Sequence, residues 1–218
     1  MLKDRVEAGR RLAQRLSKYR DRKPVVLALP RGGVPVAFEI ASALHAPLGL
    51  VLVRKVGAPW QPELALGAVA DGEDPACAIN QDVLRALGLE ERDLESEIAA
   101  QLREIERRRK LYGKRLISPS LTGATAIVVD DGIATGATTL AALRSVRRRQ
   151  PGWVVLAVPV APADALARLA EEVDEIVCLE TPADLGAISL FYRDFPQVPD
   201  HEVMELLERA AATAKDAD

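Results

Sequence analysis

At 218 residues, 49% hydrophobic and 28% charged, the sequence has the balance of one globular α/β domain with an insertion or a small cap. A chain of this size hides about 70% of the surface it exposes when unfolded. A net charge of −3 gives no global attraction to nucleic acid or anionic membrane, so neither is an expected partner. Cys77 and Cys178 lie far apart without metal-ligand spacing, which argues against a disulfide framework or a zinc site; Cys178, in an apolar run, reads as a small core residue. No apolar run reaches the roughly 18 residues of a membrane-spanning helix. The start, Met1 to Glu7, is charged and lacks the apolar core of a signal peptide, so a cytoplasmic location is expected.

Leu2, Val6, Gly9, Leu12, Ala13 and Leu16 recur at helical spacing, predicting an amphipathic helix over 2–20 with a solvated Arg/Lys/Gln face. Val25 to Leu29 is a short branched apolar run, the pattern of a buried parallel strand. Pro30-Arg31-Gly32-Gly33 then turns the chain into a helix over 34–44, with Pro35 in its first turn. The glycines permit close backbone approach to a ligand, and Arg31 adds a charged donor. A second strand is predicted over 47–53, ending at the cations Arg54 and Lys55. Residues 57–63 hold two prolines and a glycine and read as a loop; Trp60 is either a lid aromatic or a packed loop residue. Two short strands, 64–70 and 76–80, flank the turn Asp71 to Pro75.

A helical stretch from Asn80 or Gln81 stops at Gly88, and a long amphipathic helix follows over 90–112. Its far end carries Arg103, Arg107, Arg108, Arg109, Lys110, Lys114 and Arg115. Three readings stand for this segment: a solvated helix end, a nucleic-acid patch, or a basic wall that steers a polyanionic ligand. Beyond the next motif, strands are predicted over 153–160 and 175–179, a helix over 162–172, a last short strand over 187–192 and a helix over 201–214, with 215–218 frayed. Strands alternating with helices predict an α/β fold, a mostly parallel sheet with helices on both faces.

The most informative stretch is Ala126-Ile127-Val128-Val129-Asp130-Asp131-Gly132-Ile133-Ala134-Thr135-Gly136-Ala137-Thr138-Thr139. An apolar strand stops at two carboxylates, and a turn of small and hydroxyl residues leads into a helix. Ligands of open α/β sheets bind at that edge, and such a helix N-terminus presents backbone N–H groups to an anion.

This stretch resembles the 5-phosphoribosyl-1-pyrophosphate (PRPP) motif of the type I phosphoribosyltransferases. The resemblance implies their Rossmann-like fold: a single domain over 1–218, with an insertion or flexible-loop region at about 56–120 and a small hood from the C-terminal part. It implies that Asp130 and Asp131 hold the ribose hydroxyls and act in catalysis. Ala134, Thr135, Gly136, Ala137, Thr138 and Thr139 would form the 5-phosphate loop. Arg31, Gly32 and Gly33 would contact the pyrophosphate, with a cis peptide between Pro30 and Arg31. Lys55 becomes a pyrophosphate or transition-state candidate, against a plain solvated strand end, and Phe191 and Tyr192 are either hood residues that stack on a base or a packed core pair. Mg²⁺ is the implied cofactor, held indirectly by Asp130 and Asp131. The implied activity is transfer of the phosphoribosyl group from PRPP to a nucleobase-like nitrogen; a homo-oligomer is left open.

One departure narrows the acceptor. Family members that use 6-oxopurines carry an acid where this chain has Ala134, and a lysine after the strand where it has Val160-Ala161-Pro162. A non-catalytic sensor of PRPP or a nucleotide on the same fold is the alternative. A P-loop NTPase is disfavoured, since no G-x-x-x-x-G-K-[ST] sequence occurs.

Overall fold

The structure is a computed structural model that describes residues 1–71, 76–113 and 119–215. Five short strands form its centre: β1 (Pro24–Ala28), β2 (Leu48–Leu50), β6 (Thr125–Val129), β7 (Trp153–Val160) and β8 (Glu175–Glu180). All pair in parallel, in the order β2-β1-β6-β7-β8. Side chains alternate across the pleat, so Val26, Ala28, Ile127, Val129, Val155 and Ala157 enter one core, and Val25, Leu27, Ala126, Val128, Val154 and Leu156 the other. Strands buried on both faces need helices on both faces. α1 (Arg5–Leu16), α2 (Gly33–Leu44) and α7 (Asp200–Lys215) cover the first face; α5 (Ala137–Arg148) and α6 (Ala163–Leu169) cover the second. The predicted α/β architecture is therefore observed.

The strand order reverses between β1 and β6, because the chain passes from β1 outward to β2 and returns to β1's other side at β6. Such a switch point leaves a crevice at the carboxyl ends of the two strands.

Several boundaries differ from expectation. The first helix begins at Arg5, where the Asp4 side chain caps it by accepting from the Glu7 N–H at 2.8 Å, and ends in a 3₁₀ turn over Ser17–Tyr19. Leu2 lies outside that helix, in a parallel bridge to Tyr192. The strand expected over 47–53 covers only Leu48–Leu50; the chain then leaves the parallel sheet. β3 (Val53–Ala58), β4 (Gln61–Ala70) and β5 (Ala76–Ile79) form a separate antiparallel sheet, so the loop expected over 57–63 is largely strand, with Pro59-Trp60 at its tip. Trp60 is exposed there. The strand expected over 187–192 is a 3₁₀ turn, Ile188–Phe191. α3 (Gln81–Ala86) is capped by Asn80, and Gly88 follows it with φ 68°. α4 (Glu95–Tyr112) is the long amphipathic helix. Residues 72–75 of the expected turn, Lys114, Arg115 and the expected frayed end at 216–218 lie outside the described residues.

Gly9 sets how closely α1 approaches α2. A β-carbon there would stand 2.6 Å from the Val36 carbonyl oxygen and 2.8 Å from Cβ of Glu39. Gly9→Val should therefore destabilise the fold by about 1–3 kcal/mol, the usual cost of overpacking. A lowered midpoint in urea unfolding with unchanged m-value checks it; an unchanged midpoint refutes it.

Candidate functional site

Two loops leave the sheet at the switch point. After β1 the chain runs through Leu29, Pro30, Arg31 and Gly32 into α2; after β6 it runs through Asp130 and Asp131 toward α5. Pairing continues past the first strand, with Leu29 N donating to the Val129 carbonyl at 2.9 Å. The Pro30–Arg31 peptide is cis, as the resemblance implied. The loops then touch. A β-carbon on Gly32 would overlap the Asp131 carboxylate, and one on Gly33 would lie 2.7 Å from the Val129 oxygen and 3.0 Å from Cα of Asp130. The absence of side chains at both glycines is what lets the backbone of one loop rest on the acids of the other.

The two carboxylates differ in environment. Asp130 accepts from the Asp131 N–H at 2.9 Å. Burial, and then the neighbouring Asp131 carboxylate, push the Asp130 carboxyl well above the usual carboxylate range. Asp131 faces a cation. Nε and Nη2 of Arg5 both reach its Oδ2, at 2.8 and 2.7 Å, and the two side chains are only 10% and 14% exposed. The Tyr192 hydroxyl donates to the Asp131 carbonyl at 2.7 Å.

Beyond the acids, Gly132 sits beneath Ile188, whose Cγ2 would be 2.5 Å from a β-carbon there. Ile133 is buried, and its N–H donates to the Val160 carbonyl at 2.9 Å, fixing the loop to the end of β7. Ala134 and Thr135 are exposed, and Gly136, with φ 80°, starts α5. Thr138 is half-buried and Thr139 is buried in the first helical turn. The first N–H groups of any helix lack intrahelical partners, so this turn can receive an anion. Arg168, from α6, donates to the Thr135 carbonyl at 3.2 Å.

A family model described as "Phosphoribosyl transferase domain" matches residues 1–190. The chain belongs to the phosphoribosyl transferase family. Two curated proteins from two strains of Mycobacterium tuberculosis, each named "Putative phosphoribosyl transferase", are 49% identical to it over 207 residues. Those matches cover 95% of this chain but 46% of each relative, so the chain spans about half the length of the curated relatives it matches. Among solved structures, the crystal structure of TT1426 from Thermus thermophilus is similar with a TM-score of 0.81 and 41% identity, covering 95% of this chain and 98% of that one.

Not every expected residue of this phosphoribosyl transferase domain lies where the sequence suggested. Arg54 and Lys55 are not at the end of a parallel strand; they belong to β3, because β2 stops at Leu50. Nε of Arg54 donates to Gln101 of α4 at 3.0 Å, and the pleat turns the exposed Lys55 to the opposite face. Tyr192 does not present its ring to a base. It is 5% exposed, packed with Leu2, Ala8 and Phe195, and its hydroxyl is spent on Asp131. Phe191 is half-buried beside the same cluster, and its neighbour Leu190 is 65% exposed. The basic end of α4 is largely paired: Arg107 and Arg108 with Glu104, Arg109 with Asp71, Lys110 with Glu106. That pairing favours a solvated, self-neutralised helix end over a nucleic-acid patch.

Arg5 is the residue of this arrangement that the sequence did not mark. It falls on the buried stripe of α1, with Gly9, Leu12 and Leu16 at helical spacing after it. A charge on an apolar stripe was the available signal, and it was masked by the basic composition of the rest of the helix.

Among the described residues, no group of three or more His, Cys, Asp or Glu could hold a metal. Two adjacent carboxylates do suit Mg²⁺, which keeps several waters and binds through one or two carboxylates together with phosphate oxygens of a ligand.

Gly32→Ala should displace the Asp131 carboxylate from Arg5 while leaving the sheet intact. The expected outcome is a loss of about 1–3 kcal/mol in chemical unfolding, with an unchanged far-UV spectrum. Wild-type stability in that variant would mean that the two loops do not touch as described.

Proposed function

We propose that this domain is a Mg²⁺-dependent phosphoribosyltransferase that binds PRPP and transfers its 5-phosphoribosyl group to a nucleobase-like nitrogen. The observation that carries this reading is the contact of the Gly32-Gly33 backbone with Asp130 and Asp131 at the switch point. One strand-to-helix turn with Arg31 and one with a threonine-rich helix start lie on either side of a carboxylate pair. That arrangement suits a sugar with anionic groups at both ends.

In this reading, residues 134–139 anchor the 5-phosphate through backbone N–H groups and hydroxyls, and Arg31, Gly32 and Gly33 receive the pyrophosphate. Asp130 and Asp131 take the ribose hydroxyls. Burial raises the Asp130 carboxyl above the usual carboxylate range, while Asp131 is paired with the Arg5 guanidinium. The C1–O bond breaks with its electron pair leaving on the pyrophosphate, and C1 bonds to the acceptor nitrogen, which gives up a proton. The sugar passes through an oxocarbenium-like state, as in glycoside cleavage, and the Asp131 carboxylate supplies negative charge beside it. Asp130 and Asp131 would hold Mg²⁺ through ribose hydroxyls or water, and the ion would supply positive charge for the leaving pyrophosphate. Lys55 is a further candidate for that charge from β3.

The acceptor is not a 6-oxopurine in this reading. Ala134 has no acid to offer a purine, and Val160-Ala161 is buried apolar backbone bonded to Ile133 rather than a lysine-bearing turn. Leu190 and Phe191 are the apolar surface that the C-terminal segment offers to an acceptor.

The test is incubation with PRPP, Mg²⁺ and a panel of bases and amines, following pyrophosphate release. Release with at least one acceptor is expected. Tight PRPP binding without turnover across the panel would favour a sensor, and no PRPP binding by calorimetry would remove both readings. Asp131→Asn should weaken PRPP binding or turnover by roughly 10–100-fold, the scale of a lost hydrogen bond to a charged group, with the fold retained. An unaffected Asp131→Asn protein would refute the assignment.

A further inference from the structure

The reaction proposed above gives no task to Arg5, yet this buried cation lies on the carboxylate assigned to the ribose. Its guanidinium is fixed on every edge. Nε and Nη2 donate to Oδ2 of Asp131 at 2.8 and 2.7 Å, and Nη1 donates to the Pro196 carbonyl at 2.7 Å. The Phe195 ring lies under its plane, 3.7 Å from centroid to Cζ. Phe195 in turn stacks on Tyr192 at 4.6 Å, and Tyr192 holds the Asp131 carbonyl. The segment carrying these aromatics is tied to the residues just before α1. Leu2 N donates to Phe191 O at 2.8 Å, Arg193 N to Leu2 O at 2.9 Å, and Asp194 N to Lys3 O at 2.9 Å. Side chain and backbone of Asp131 are thus gripped from one direction, and neither Arg5 bond to the carboxylate uses Oδ1. A rigid planar fork suits this task better than a flexible ammonium.

We propose that Arg5 is the positioning residue of the ribose site. It holds the Asp131 carboxylate by Oδ2 and leaves Oδ1 to accept from a hydroxyl of the phosphoribosyl donor. The inference rests on the PRPP reading of this site. Arg5 acts through Asp131 and lies in neither phosphate turn, so its influence is greatest on ligands that carry the ribose. A structural prop, by contrast, would weaken every ligand alike when replaced.

Calorimetric titration of the wild-type chain, Arg5→Lys and Arg5→Gln with PRPP, ribose 5-phosphate and inorganic pyrophosphate, each with Mg²⁺, separates the cases. Arg5→Gln should bind PRPP and ribose 5-phosphate roughly 10–100-fold more weakly, the scale of a lost hydrogen bond to a charged group. Pyrophosphate affinity should fall much less, because Asp131 meets that ligand only through the Gly32 turn and bound Mg²⁺. Arg5→Lys should recover part of the loss, restoring the charge without the fork. In an Asp131→Asn background, Arg5→Gln should cost nothing more, because the carboxylate it serves is gone. Equal weakening of all three ligands, an undiminished loss in the Asp131→Asn background, or unchanged PRPP affinity in the folded variants would each overturn the proposal. Should Arg5→Gln fail to fold, Arg5→Lys carries the same comparison. If the wild-type chain binds pyrophosphate but not PRPP, the phosphoribosyl reading itself fails and this inference falls with it; wild-type PRPP binding that Arg5 does not influence removes the inference alone.

Discussion

The site exists because Gly32 and Gly33 have no side chains. Neighbouring parallel strands lie about 4.8 Å apart, so the loops leaving β1 and β6 start within van der Waals reach of each other. A β-carbon on Gly32 would fall on the Asp131 carboxylate, and one on Gly33 would press on the Val129 carbonyl. Any larger residue would force the loops apart and split the crevice. With glycine at both positions, the backbone of one turn and the acids of the other share one surface. The architecture serves that contact: the order reversal opens the crevice, and the two cores hold β1 and β6 from both faces.

Bringing two adjacent acids into a partly buried crevice carries an electrostatic cost. Carboxylates in such a place cannot both ionise freely. The molecule resolves this asymmetrically, with Asp130 driven toward its neutral form and Asp131 given the Arg5 guanidinium. Supplying that cation from α1 draws in remote parts of the chain. Arg5 must be held by Pro196 and Phe195, and the backbone pairing of Leu2 and Lys3 with residues 191–194 brings those groups into range. The start of the chain and its C-terminal segment therefore meet over the carboxylates, 126 residues from Arg5 in sequence.

What the sequence made legible was local. The apolar runs at 25–29, 126–129, 153–160 and 175–179 are strands because a strand buried on both faces needs uninterrupted apolar residues, and the two glycine-bearing turns sit where those strands end. The illegible features depend on partners distant in sequence. Val51 and Leu52 continue the apolar run of β2, although only Val51 N still bonds to β1, at the Ala28 carbonyl, before the chain leaves the sheet; composition cannot mark that exit. Ile188 to Tyr192 is apolar enough for a strand, yet among the described residues it makes only an isolated bridge, Tyr192 with Leu2, and it coils into a 3₁₀ turn over Gly132. Tyr192 reads as a stacking aromatic until its hydroxyl is seen on the Asp131 carbonyl. Arg5 reads as one more surface base, since an ion pair across 126 residues leaves no trace in periodicity.

The insertion between β2 and β6 packs on α5 through Ala68, Ala70 and Ala78, and one acid adds polar links to that contact. Asp71, just after β4, accepts from Leu52 N at 3.1 Å and from Arg109 of α4 at 3.1 Å, while its own carbonyl accepts from Ser145 of α5 at 2.7 Å. Burial pushes its carboxyl upward and Arg109 opposes that shift. Through this residue the exit from the parallel sheet, the antiparallel sheet and the basic end of α4 are joined to α5, the helix whose first turn follows Gly136. A basic helix end used for such anchoring is a structural device first. The positions of Arg107, Arg108 and Arg109 are explained by Glu104 and Asp71 before any ligand is invoked.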